Sequence, residues 1–141
     1  MAIGLLTLIL AITWYSFSTR NQEPVQVFSA TVNRDCAPWD GSAFTVSIPM
    51  SDGTIVDISI WQAPDIKFSV TFSFLDNTGQ VGNAALLLPV GLPAPLTGTV
   101  LLQRVEPERP VEGAFDLKDE SGKQFKGEFK AEWDNQIVMC G

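Results

Sequence analysis

The chain has 141 residues, nine Lys and Arg against sixteen Asp and Glu, two cysteines and no histidine, for a formal charge of −7. A chain this acidic is a poor partner for nucleic acid, which needs clustered Lys and Arg, and it lacks the polybasic grip that holds proteins to anionic lipid. Without histidine it lacks the commonest general base and the commonest transition-metal ligand.

Residues 2–17, AIGLLTLILAITWYSF, carry no charge. As a helix they would be roughly 24 Å long, a short span for a bilayer core of about 30 Å. No Lys or Arg precedes the run, and WYSFSTR after it is a poor cleavage site, so the expectation is an uncleaved transmembrane anchor over residues 1–20 rather than a signal peptide. Gly4, Thr7 and Ala11 recur at spacings of three and four, a small face on which membrane helices approach closely. Trp14 and Tyr15 then form an interfacial belt ahead of polar residues 16, 18, 19 and 20. Residues 21–24 are a short connector, and 25–141 read as one β-domain.

Residues 25–33, VQVFSATVN, are rich in β-formers and predict the first strand. A turn-rich loop over 34–42 holds Cys36 and Trp39. In 43–50 the apolar positions Phe44, Val46 and Ile48 alternate with Thr45 and Ser47, and Asp52-Gly53 turns the chain into a partner strand with Val56, Ile58 and Ile60 on one face. Alternation is clearest in 67–75, where Phe68, Val70, Phe72 and Phe74 are expected to face inward. Residues 76–83 read as a loop. Prolines 89, 93 and 95 argue against a central strand in 84–96. No charge occurs from 77 to 103, and this stretch, with Leu86, Leu87, Leu88, Leu92 and Leu96, is a candidate surface for a ligand or partner unless it packs on its own core or on lipid. A strand over 98–106 precedes a hairpin across 119–122. Val111, Gly113, Phe115 and Leu117 face inward on one arm, and Phe125, Gly127, Phe129, Ala131 and Trp133 on the other, while Lys126, Glu128, Lys130 and Glu132 alternate in sign outside. Gly113 and Gly127 on core faces predict close packing of a curved sheet.

Cys36 and Cys140 bracket this domain. Pairing them closes a loop of 104 residues. In the chain-entropy model that stabilises by roughly 4–5 kcal/mol, and it implies an oxidising, extracytoplasmic location. Arg20 on the domain side pulls weakly the other way under the positive-inside rule. The fold class expected is all-β, an antiparallel barrel or two-sheet sandwich of about eight strands behind a single N-terminal transmembrane helix.

The pieces Gly113-Ala114-Phe115, 119–122 and Gly127-Glu128-Phe129, with FSATVN near the start, give the chain a rhythm similar to small calycin-like β-domains of bacterial envelope lipoproteins. The resemblance implies a fold and an envelope location. It carries over no ligand or catalytic residue, and the lipid-attachment cysteine of those proteins is missing here.

Chemistry is sparse. No phosphate-binding glycine loop or nucleophile elbow occurs, and serine or cysteine catalysis would lack its histidine. Asp35, Asp40, Asp57 and Asp65 are close in sequence, but aspartates beside Gly and Pro usually serve turns. No cofactor or metal is expected. Trp39, Trp61 and Trp133 could line a barrel mouth. The leading expectation is a non-catalytic, single-span accessory subunit of a membrane assembly, for which a respiratory or photosynthetic complex would fit. Its partners would be lipid and other membrane subunits. The alternatives are a membrane-tethered calycin-like domain that binds a small apolar ligand, and, third, a pilin-like filament subunit.

Overall fold

The alternating residues form eight strands in a computed structural model, which describes residues 24–75 and 81–141. These are β1 (Val27–Cys36), β2 (Ser42–Pro49), β3 (Ile55–Ile60), β4 (Val70–Phe74), β5 (Gly82–Leu87), β6 (Ala94–Arg104), β7 (Val111–Lys118) and β8 (Gln124–Trp133). The expected anchor, with Gly4, Thr7, Ala11, Trp14 and Tyr15, lies outside the described residues. Among the described residues no helix is long and apolar enough to cross a membrane.

Seven strands close a ring in the order β1, β2, β3, β5, β6, β7, β8 and back to β1, and β4 pairs only with β6. The long β6 makes this possible. Its start pairs with β5 (Ala84 with Leu96), its middle with β4 (Phe72 with Val100), and both β4 and β5 use the same edge. The opposite edge pairs with β7 from Thr97 to Arg104. Of the two architectures expected, the fold is therefore the barrel. It is not wholly antiparallel: β1 runs parallel to β8, with Phe28 beside Phe129 and Ala30 beside Ala131. The reason is parity. Antiparallel neighbours alternate in direction around a ring, and only an even number of strands closes that way. Displacing β4 leaves seven, so one seam must be parallel.

The interior is filled with side chains, as befits a ring of this size. Phe44, Ile48, Ile58, Ile60, Leu96, Leu102, Leu117 and Phe129 are fully buried. Gly113 and Gly127 act as expected. A Cβ on Gly127 would lie 2.5 Å from the Phe28 ring, and one on Gly113 would lie 2.7 Å from the Phe129 ring, so each ring occupies the space its glycine leaves. The Phe28 and Phe129 rings flank Phe115, with centroids 5.7 and 6.4 Å away.

Two expectations about the strands are corrected. Phe68 is 81 % exposed and Val70 is also exposed, whereas Phe72 and Phe74 are buried. Ile66 bridges Val105 and Val70 pairs with Leu102, so four steps along one chain match three along the other. The surplus residue bows outward and carries Phe68 into solvent. In the proline-rich stretch, β5 is a central strand, paired with β3 on one side and β6 on the other. Pro89 and Pro93 fall in the connection after it, and only Pro95 lies within a strand.

Two turns share one chemistry. Asp52 Oδ1 accepts from the Thr54 backbone N–H (3.0 Å) and hydroxyl (2.6 Å). Asp119 Oδ1 accepts from the backbone N–H groups of Ser121 (2.9 Å) and Lys123 (3.0 Å). Each turn is completed by a glycine at positive φ, Gly53 or Gly122.

Candidate functional site

The barrel has two rims of different character. At one, which we call the N-terminal rim, Gln26 leads into β1, and its carbonyl accepts from the Glu128 N–H (3.0 Å). The same rim carries the turns 50–54 and 119–123, tied by the Lys123–Asp52 ion pair (3.7 Å), and the connection 88–93 between β5 and β6. A Cβ on Gly53 would come within 4.0 Å of Pro89, so the 50–54 turn and the 88–93 loop are neighbours.

The loop 88–93 reads LPVGLP, with no polar side chain. Leu88 is exposed, and Val90 and Leu92 are 88 % and 86 % exposed. The uncharged stretch 77–103 therefore divides. Leu86 and Leu96 are buried in the core, which removes them from any candidate surface, because both point into the ring from paired strands. Leu87 is half-buried, and Leu88 and Leu92 face solvent.

The other rim holds the disulfide. Cys36 ends β1 and Cys140 lies in the C-terminal tail, with Cα atoms 5.6 Å apart. The Asp134 N–H donates to the Val32 carbonyl (2.9 Å), so the tail leaves β8 along β1 and reaches Cys36 from the parallel seam. Trp39, in the connection between β1 and β2, meets Trp61, just beyond β3, edge to face with centroids 5.6 Å apart. Trp39 is 58 % exposed. Its ring lies against Gly41, where a Cβ would come within 2.6 Å of Nε1. Trp133 is at the same rim but separate from this pair. It packs beside Phe44 (6.4 Å), donates Nε1–H to the Glu106 carbonyl (2.9 Å) and lies under the Arg34 guanidinium (5.8 Å).

Near this rim the outer face carries a hollow of about 380 Å³ bordered by Arg104, Arg109, Lys130, Glu106 and Glu112. Glu106 pairs with Arg104 and with Arg109 (3.3 Å), and Lys130 lies 3.8 Å from Glu112. These pairs are exposed and contribute little each.

A polar row crosses the outer face of β1, β2 and β3. The Thr45 hydroxyl donates to Asp35 Oδ2 (3.0 Å) and meets the Ser59 hydroxyl at 2.8 Å. One step along, Asp57 has a buried Oδ1 without a hydrogen-bond partner. Burial pushes its carboxyl above the ordinary range and the nearby Asp35 charge adds to this, while the Ser47 side chain opposite partly offsets it. Among the described residues no three metal-ligating side chains converge.

Comparison with protein-family models, with curated proteins and with solved structures finds no match.

Proposed function

We propose that this chain is a membrane-anchored, non-catalytic accessory subunit whose barrel stands between lipid and a partner subunit on the extracytoplasmic side. The observation that carries this reading is the polarity of the barrel. The chain arrives from the apolar run 2–17 at one rim, and the exposed Trp39, packed on half-buried Trp61, lies at the other. Along β1 these are separated by ten residues, on the order of 33 Å of extended chain. Aromatic side chains held in a fixed geometry anchor many interfaces, because they bury large area at small entropic cost. The disulfide end of the barrel supports an oxidising compartment. The calycin-like rhythm of the last hairpin supports an envelope domain of the same kind. The filled interior favours a bracing role over enclosure of a small ligand.

Purification of the tagged full chain from its own membranes in mild detergent tests this reading. The expected result is stoichiometric membrane subunits that co-purify with the native chain and are lost from Trp39→Ser and Trp61→Ser variants that keep their disulfide. A free monomer contradicts it.

A further inference from the structure

The apolar loop 88–93 has no role in the core. Its three large side chains, Leu88, Val90 and Leu92, are all exposed, two of them almost fully. Water is an unfavourable environment for such a tip, and its position says what replaces the water. The loop lies on the rim where β1 begins, next to the 50–54 turn. Val25 and Val27 are exposed on that rim as well, at 59 % and 63 %. The connector between the apolar run and Pro24 is too short to hold the rim far from a bilayer that the run enters.

We infer that loop 88–93 dips into the lipid interface as a second, shallow anchor that fixes the barrel's tilt. The inference rests on the membrane reading above and commits the loop to lipid rather than to a protein. Its composition suits that environment. Leu and Val lower the free energy by leaving water. Pro89 and Pro93 have no N–H, so the loop takes fewer unsatisfied donors into a dehydrated layer than most six-residue loops would. Gly91, at φ 117°, lets the tip reverse without a side chain that would resist the turn. The charged turns on the same rim, with the Lys123–Asp52 pair, would lie at headgroup level, where ions remain hydrated.

Full-length chain carrying Val90→Cys or Leu92→Cys, labelled with an environment-sensitive fluorophore and reconstituted into phosphatidylcholine vesicles, tests this. Glu108→Cys, in the turn between β6 and β7, is the reference at the far rim. The expected result is a blue-shifted loop emission, quenched by nitroxide-bearing lipid and protected from aqueous iodide, while the Glu108 label remains open to iodide. If the vesicles float with the chain but the loop labels are as open to iodide as Glu108, the loop inference is overturned and the anchor stands. If the loop labels resist both quenchers, protein covers the loop and the assignment to lipid is wrong. If the chain does not float with the vesicles, the membrane reading fails and the loop inference fails with it.

Discussion

The environment of Asp57 opposes its charge, and three other aspartates, two in turns and one on β7, show the contrast. A hydrogen bond from the Thr54 hydroxyl holds Asp52 below the ordinary range, the Ser121 hydroxyl does so for Asp119, and the Gln124 side chain does so for Asp116. These three contribute stability above their unfolded values and lose it as pH falls through the folded ones. Asp57 has the opposite sign. Its native form holds a proton more tightly than the unfolded chain, so stability falls as pH rises through the unfolded value towards the folded one. Asp57→Asn should therefore stabilise the protein at pH 7, by about 1 kcal/mol for a partly buried acceptor left without a partner. The gain should shrink as pH falls through about 4 and be smallest near about pH 3, where aspartate is largely neutral in both states. Denaturant midpoints of the two proteins at both pH values check this; an equal gap at both would show that charge is not the cause. Much at this scale was legible beforehand. The Asp52 and Asp119 turns were readable because Asx geometry is local. Phe68 was misread because its exposure depends on a mismatch with β6, which lies thirty or more residues away in the chain.

At the scale of elements, the parallel seam between β1 and β8 is where the barrel closes, and it joins the two ends of the described domain. Most neighbouring strands in the ring are linked by a short turn. The seam is linked instead by the Cys36–Cys140 bond, across 104 residues of sequence. A bond over so long a loop constrains the unfolded chain strongly, and losing it typically costs about 2–5 kcal/mol. Reduction, or Cys36→Ser with Cys140→Ser, should destabilise the barrel by that order. Hydrogen exchange should quicken first in β1 and β8, ahead of β2 and β3. Uniform exchange through the sheet would show that the bond does not act through the seam. The two cysteines and the final hairpin were plain in the sequence, since alternation and spacing specify them directly. Strand β5 was not. Ala84 and Leu86 face inward and Leu87 only partly outward, so an almost continuous apolar run hides the period of two, and the prolines that seemed to forbid a strand begin just after it. The parallel pairing was hidden too, because it follows from the displacement of β4 and from no residue within the seam.

The whole molecule is a barrel stapled by one disulfide, with two rims of different character to which the proposed function gives a lipid end and a partner end. The division between those ends follows from topology. Neighbours around the ring alternate in direction everywhere but at the β1–β8 seam, so connections 88–93 and 119–123 fall at the rim where β1 starts, and Trp39, Trp61 and the disulfide fall at the other. The sequence supplied the apolar run, the tryptophans and the uncharged stretch, but only the fold separates the buried Leu86 and Leu96 from the exposed Leu88 and Leu92. Alkaline carbonate extraction of membranes that contain the full chain tests the central claim most directly. The account predicts that the protein stays in the membrane pellet with its disulfide intact. Complete release into the supernatant as folded barrel would contradict it.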